Sequence, residues 1–329
     1  MSDHIRWGIL GTGSIANKFA TGLQAVADAD LIAVGSRAQD TADAFADKYG
    51  APNRHASYEA LARDPEVDAI YVGTPHTFHK DNSILCLEAG KAVLCEKPFA
   101  INATEAETVI QCARDHGRFL MEAMWTRFLP VLIQVRQWLA DGKIGEVRMV
   151  TADFGFRAGV NPDGRLFNPA LGGGGLMDVG IYPISLASMV FGVQPDRIKA
   201  LAEIGETAVD EQAAMVFSYD TGALASLWTG IRTSTPQEAT ILGTDGQIRI
   251  ESPFWDAKTA TLSVDGNDPV HIEPPRSGNG YNYEAIEVGR CLRAGKLESG
   301  TMPLDETLAV IKTLDTVREQ IGLKYPMDV

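Results

Sequence analysis

Cysteine is scarce: the 329 residues include four, Cys86, Cys95, Cys112 and Cys291, and none stands in a C-x-x-C pair. That spacing argues against a disulfide framework or a structural zinc site and favours buried, reduced thiols. Positive charge is short as well, 29 Lys and Arg against 43 Asp and Glu, for a formal net charge of −14. A surface of that sign repels nucleic acid and anionic membranes, so neither is expected as a partner. Long hydrophobic runs are missing too. The longest uncharged stretch of note, Val179 to Pro195, is broken by Gly, Pro and Ser. It falls short of the ~20 apolar residues of a spanning helix. The opening "MSDHIRWGIL" enters a strand-like run at once, so no secretory signal is expected and a cytoplasmic location is. What remains is an ordinary globular composition, 45% hydrophobic, in a chain too long for a single core.

The first third alternates strand-like runs ("IRWGIL", "LIAVGSR", "AIYVGTP", "AVLCEKP") with helix-like ones ("SIANKFATGLQAV", "DTADAFADKYG"). That alternation implies a parallel sheet covered on both faces. In "TEAETVIQCARDHG" Thr104 is expected to cap a helix, with Glu107 at capping-box spacing and Gly117 as the stop. After about residue 122 strands follow one another without regular helices between them. Hairpin signals at "YDTGA" and "GTDGQ" point to a mainly antiparallel sheet. The chain ends in two helices. In the second, Leu304, Leu308, Ile311, Leu314, Val317 and Ile321 recur at helical spacing. The expected architecture is α/β: a dinucleotide-binding domain over 1–122, then an α+β domain over 123–329 with an open, mostly antiparallel sheet. The last helix is free to pack back on the first domain.

"GILGTGSIA" reads as strand, glycine turn and helix. Gly11 and Gly13 take the first two glycine positions of the dinucleotide fingerprint and Ala16 the third, with Thr12, Ser14 and Ile15 between and after them. Such a turn brings backbone N–H groups and a helix N-terminus onto a pyrophosphate. At the end of the second strand an NAD enzyme usually offers an acid to the ribose. This chain offers Ser36 and Arg37, a donor and a guanidinium suited to a 2′-phosphate. NADP is therefore expected, with NAD at lower affinity. "CEKPF" follows the fifth apolar run, so Lys97 stands at the carboxyl edge of the sheet, between Glu96 and a Pro98 whose peptide bond is a candidate for the cis form.

Four consecutive glycines in "LGGGGLMDVGIYP" run into Asp178 and Tyr182, four apart and so on one face of a helix. The glycines are expected to leave space for a substrate before that helix. Trp125, Phe154, Phe156, Trp255, Tyr281 and Tyr283 lie on or near turns able to face Tyr182, and Arg165 is within reach of a polar substrate. His76 and His79 are three apart, with no further ligand at matching spacing, so no metal is expected.

"GTGSIA", "GTPHTFH", "CEKP", "MEAMWTRF" and "GGGGLMDVGIY", in this order, resemble the Gfo/Idh/MocA oxidoreductases. The resemblance covers nearly the whole chain. It is closest to the branch containing dimeric dihydrodiol dehydrogenase and NADP-dependent D-xylose dehydrogenase. It implies hydride transfer between a nicotinamide and a hydroxyl or carbonyl of an aldose or a cyclic trans-dihydrodiol. Lys97 and Tyr182 would serve the transfer, with Asp178 beside them. Thr74, Pro75, His76 and His79 would lie by the cofactor, and Trp125 and Arg127 by the substrate. Many members carry histidine where this chain has Tyr182, so sugar assignments of those members do not carry over. The family pairs subunits, so a homodimer or a dimer of dimers is expected. Epimerisation or glycoside cleavage with transient nicotinamide chemistry, and a non-catalytic NADP-sensing role, are the rival readings.

The chemistry can be sized. A phenol with a reference pKa of about 10 must drop roughly 2–3 units, or ~3–4 kcal/mol, to exchange protons near neutrality. An ammonium ~4 Å away supplies on the order of 4 kcal/mol at an effective dielectric of ~20. Asp178 facing the phenol would oppose the drop, so it is expected to hold Lys97 or a substrate hydroxyl.

Overall fold

A computed structural model describes residues 4–328. The chain divides into two compact units, Met1–Phe128 with Ser277–Leu308, and Leu129–Arg276 with Ala309–Val329. A single cut between 122 and 123 therefore does not describe the molecule: the stretch 277–308 returns to the first unit. The reason is a close approach that depends on a glycine. Asn279 Nδ2 donates to Lys18 O at 2.8 Å, and a Cβ on Gly22 would lie 2.9 Å from Asn282 N.

In the first unit, short β-branched runs form β1 (Ile5–Leu10), β2 (Ala29–Gly35), β3 (Asn53–His55), β4 (Ala69–Val72), β5 (Ala92–Glu96) and β6 (Leu120–Ala123). They make one parallel sheet in the order β3-β2-β1-β4-β5-β6. Every residue of β4, β5 and β6 is buried, as expected of strands covered on both faces. The connecting helices are α1 (Ser14–Leu23), α2 (Gln39–Tyr49), α3 (Tyr58–Ala62), α4 (His79–Glu88) and α5 (Ala103–His116). The cap of α5 is not Thr104. Asn102 is the extended N-cap residue and accepts from Glu105 N at 2.9 Å, while Gly117 closes the helix at φ 58° as expected.

The second unit begins with α6 (Pro130–Ala140) and β7 (Val147–Gly155), followed by α7 (Ile181–Phe191). The remaining strands are β8 (Arg197–Ile204), β9 (Asp210–Ser218), β10 (Leu224–Gly230), β11 (Ala239–Gly243), β12 (Gly246–Ile250), β13 (Ala260–Val264) and β14 (Val270–Ile272). Their order is β14-β13-β12-β11-β7-β10-β9-β8, antiparallel throughout except for the parallel β7–β10 pair. Both expected hairpins form, β9–β10 and β11–β12. One face of the sheet is core: Met215, Phe217, Ala225 and Leu227 are buried. The other presents Leu201, Val216, Leu224 and Trp228, all exposed.

The segment Pro169–Phe191 is long and apolar enough to cross a membrane by length and composition, contrary to the sequence expectation, but 83% of its most apolar window is buried inside the protein. It is a core helix. The chain closes with α8 (Asn282–Arg293), in the first unit, and α9 (Leu304–Ile321). Leu304, Ile311, Leu314 and Val317 of α9 are buried as the helical spacing predicts.

Candidate active site

Strand order in the first unit reverses between β1 and β4, and in open α/β sheets a ligand crevice lies at the carboxyl ends of strands at such a point. There Gly11 adopts φ 97°, and a Cβ on it would come within 3.2 Å of Gly73 O, so the turn after β1 demands glycine. Gly13, the N-cap of α1, behaves differently: a Cβ there would meet nothing within 4 Å, and no side chain caps the helix. A glycine turn with an open flank and uncapped N–H groups fits the pyrophosphate of a dinucleotide. Thr12 and Ser14 edge the same turn. Beside it, Ser36 is buried and its Oγ lies 2.6 Å from Thr41 Oγ1, a partner that sequence reasoning missed, and 3.5 Å from Thr12 Oγ1. Arg37 is exposed at the end of β2.

The loops after β4 and β5 are tied together by His79. This ring is fully buried, with Nε2 2.8 Å from Thr74 O and Nδ1 2.8 Å from Pro98 O. Burial pushes the imidazole down to about 4, with the Lys97 charge acting in the same direction, against the pull of both carbonyls. A neutral ring has one N–H and donates to one carbonyl at a time. Both ring nitrogens face backbone carbonyls, so His79 ties the loops after β4 and β5 together. Thr74 Oγ1 in turn accepts from Asn82 Nδ2 at 3.1 Å. His76 is buried, 5.8 Å from His79 between ring centroids.

Lys97 follows β5 and its bond to Pro98 is cis. Its amide donates to Glu96 Oε2 at 3.0 Å, and Glu96 Oε1 accepts from the hydroxyl of Tyr71. Burial, and after it the Glu96 charge, drive Glu284 well above the ordinary carboxyl range. Neither of its oxygens has a hydrogen-bond partner among the described residues. Glu96 is held by the Tyr71 hydroxyl and the Lys97 amide. Arg127 is buried and its Nη2 donates to Glu306 Oε1 at 2.7 Å. Trp125 is buried and stacks on Tyr281 at 4.6 Å. Tyr283 Oη accepts from Ser277 N.

In the second unit the glycine run ends in a π-helical turn, Leu176–Gly180, that continues into α7. Pro183 has no N–H for the carbonyl four residues back and its ring crowds that carbonyl, which accounts for the widened turn just upstream. Asp178 lies in the π turn and Tyr182 on the first turn of α7; both are buried. Arg165 Nη2 pairs with Asp178 Oδ1 at 2.9 Å. Phe154, on β7, packs its ring 5.4 Å from that of Tyr182 and stacks on Trp255 at 4.8 Å, while Phe156 lies at 6.4 Å from Phe154. Trp255 Nε1 donates to Gln237 Oε1 at 2.9 Å.

The glycines have a reason other than substrate space. Cβ atoms on Gly173 would lie 2.8 Å from Arg165 O and Leu166 O, and one on Gly174, at φ 114°, would strike Asp210 Oδ1. The bare backbone is needed for packing against the 165–168 loop and against β9. Asp210 was not foreseen. Burial pushes its carboxyl up to about 7, and nothing in its sequence context marks it.

No His, Cys, Asp or Glu group among the described residues converges to hold a metal ion. The four cysteines are free; Cys112 is partly exposed and the other three are buried.

A glycine-turn cradle at the carboxyl edge of a parallel sheet defines a protein of the NAD(P)-binding type. Two family models match: the oxidoreductase family with NAD-binding Rossmann fold over 5–124 and the GFO/IDH/MocA C-terminal domain over 132–249. The chain belongs to the Gfo/Idh/MocA family, as a dehydrogenase acting on CH–OH groups. It is 39% identical over 335 residues to mouse trans-1,2-dihydrobenzene-1,2-diol dehydrogenase, covering 98% of this chain and 99% of the relative. The human enzyme of that name is 38% identical over 334 residues, with the same coverage. Among solved structures, an aldose-aldose oxidoreductase from Caulobacter crescentus has a TM-score of 0.89 at 24% identity, covering 97% of this chain and 98% of that one. The 3-ketoreductase KijD10 from Actinomadura kijaniata, in complex with NADP and TDP-benzene, has a TM-score of 0.85 at 24% identity, with the same coverage. These two show the fold.

Proposed function

We propose that the protein is an NADP-dependent dehydrogenase that oxidises a vicinal hydroxyl of a cyclic trans-dihydrodiol, with an aldose such as D-xylose as the second candidate substrate. The observation that carries this reading is the set of groups around Tyr182: a phenol packed on the stacked Phe154–Trp255 pair, one helical turn on from Asp178, which pairs with Arg165. Aromatic faces suit a flat ring, and the ion pair supplies donors and an acceptor for a neighbouring hydroxyl. The full-length likeness to two enzymes named as dihydrodiol dehydrogenases favours the diol over the sugar. The turn at Gly11–Ser14 would hold the dinucleotide, which would supply the hydride acceptor or donor. Tyr182 Oη takes the hydroxyl proton as the hydride leaves carbon, and Lys97 is the cation that favours the phenolate. Asp178, paired with Arg165, orients the second hydroxyl.

Turnover is followed as reduced-nicotinamide absorbance with NADP and trans-1,2-dihydrobenzene-1,2-diol. Lys97→Met and Tyr182→Phe are each expected to lower kcat by at least about a hundredfold, the scale of a lost acid–base group, with NADP affinity nearly intact. Two active variants would remove the catalytic assignment. Substrate turnover without any absorbance change would favour an epimerase or lyase that recycles its cofactor.

The open sheet face is proposed to pair with a second copy of the chain, since an exposed row of Leu201, Val216, Leu224 and Trp228 needs covering. Leu201→Glu with Trp228→Glu should shift the sedimentation coefficient from dimer to monomer. A wild type that sediments as a monomer would refute the pairing.

A further inference from the structure

The π turn that carries Asp178 and leads into Tyr182 on α7 is fastened from two directions by groups that play no part in the reaction as proposed. From β9, Asp210 Oδ2 accepts from Leu176 N, the first residue of the π turn, at 2.6 Å. Asp210 is fully buried, and its Oδ1 faces the bare Cα of Gly174. From the carboxyl end of the chain, the Tyr325 hydroxyl donates to Gly173 O at 2.5 Å. Tyr325 is itself held: the Arg318 guanidinium lies 4.6 Å from its ring centroid, and its amide donates to Asp328 Oδ2 at 2.8 Å, with Asp328 also paired to Arg318. The glycine run is further bonded to the loop before it, Gly173 N to Asn168 O and Gly174 N to Leu166 O. That loop carries Arg165, the partner of Asp178.

We propose that Asp210 and Tyr325 are positioning residues, a carboxylate clamp and a C-terminal latch that together fix the glycine run and thereby the orientation of Asp178 and Tyr182. Neither ordinary helix capping nor core filling accounts for the pair. Asp210 lies thirty-four residues along the chain from the amide it binds, and Tyr325 spends its hydroxyl on a carbonyl 152 residues away. A buried carboxyl aimed at backbone amides, Leu176 N foremost, costs desolvation, and it returns geometry: acid–base and hydride steps lose rate steeply when reacting groups are misplaced.

This inference rests on Tyr182 being the acid–base group, so the test keeps the two separable. Four variants of the full chain are assayed with NADP and trans-1,2-dihydrobenzene-1,2-diol: Tyr182→Phe, Tyr325→Phe, Asp210→Ala and Asp210→Asn. Tyr325→Phe and Asp210→Ala are expected to lower kcat by about tenfold or more, with KM and the NADP dissociation constant within about twofold of wild type, the signature of lost alignment and not lost binding. Asp210→Asn keeps an acceptor for Leu176 N and should restore kcat to within about threefold of wild type. If Tyr182→Phe is inactive while Tyr325→Phe keeps wild-type kcat, the latch is refuted and the catalytic reading stands. An Asp210→Asn variant as slow as Asp210→Ala refutes the clamp. An active Tyr182→Phe overturns the catalytic reading, and the inference with it. Should Asp210→Ala not fold, Tyr325→Phe, which removes one hydroxyl, decides.

Discussion

Arg37 is where a single side chain bears most on cofactor choice. It is exposed at the end of β2, beside a buried Ser36 already bonded to Thr41, and no acid occupies the position where an NAD enzyme holds the ribose. Arg37→Asp should therefore weaken NADP by at least about tenfold, the scale of a lost charge-assisted pair, while leaving NAD unchanged or improved. Nucleotide titrations by protein fluorescence measure both, and equal losses would remove the phosphate-pairing argument. At this scale the sequence was legible where placement follows from a local motif. Gly11, Gly13 and Lys97 stand at the strand ends where strand–turn–helix logic puts them. It was silent where a side chain's partner lies far along the chain. Arg127 is taken by Glu306, 179 residues away, and His79 by the carbonyl of Pro98, 19 residues away. Asp210 was invisible for the same reason.

Elements were read well where their signals are periodic and poorly where a tertiary contact sets their ends. The parallel and mixed sheets follow from strand alternation and hairpin turns, and α9 from its apolar stripe. The π turn at Leu176–Gly180 does not, since a proline seven residues after its start reads equally well as an ordinary first-turn proline. The cap of α5 shows the margin involved. Asn102 and Thr104 are both good capping types two residues apart, and only the extended backbone at Asn102 (φ −153°) and its bond to Glu105 N decide between them. Asn102→Ala is expected to cost about 1 kcal/mol, read as a lower urea midpoint at unchanged m-value. Thr104→Ala, on the exposed first turn, should change stability by less than about 0.5 kcal/mol. The reverse ranking would return the cap to Thr104.

Across the whole molecule, both units bury a carboxyl whose protonation is tied to folding. In the first unit burial pushes Glu122 up to about 7, against a hydrogen bond from Phe99 N and the nearby Arg127. In the second, burial pushes Asp210 up to about 7, against the amide of Leu176 and the charge of Arg318; the phenol of Tyr325 also faces it. For each, the folded state binds the proton more tightly than the unfolded chain, so the stability it contributes is complete below pH 4 and declines as pH rises toward and through about 7. A shift of this size corresponds to something on the order of 3 kcal/mol per buried carboxyl. Asp68 pulls the other way: burial raises it, but the bidentate Arg6 outweighs burial and holds it below the ordinary value. Its contribution is therefore lost as the solution becomes more acidic. The two trends cross in mildly acidic solution, where urea midpoints should peak, and the decline toward pH 8 should be shallower in Glu122→Gln, which cannot ionise. If Glu122→Gln parallels wild type from pH 5 to 8, the Glu122 carboxyl does not carry the pH dependence of the first unit.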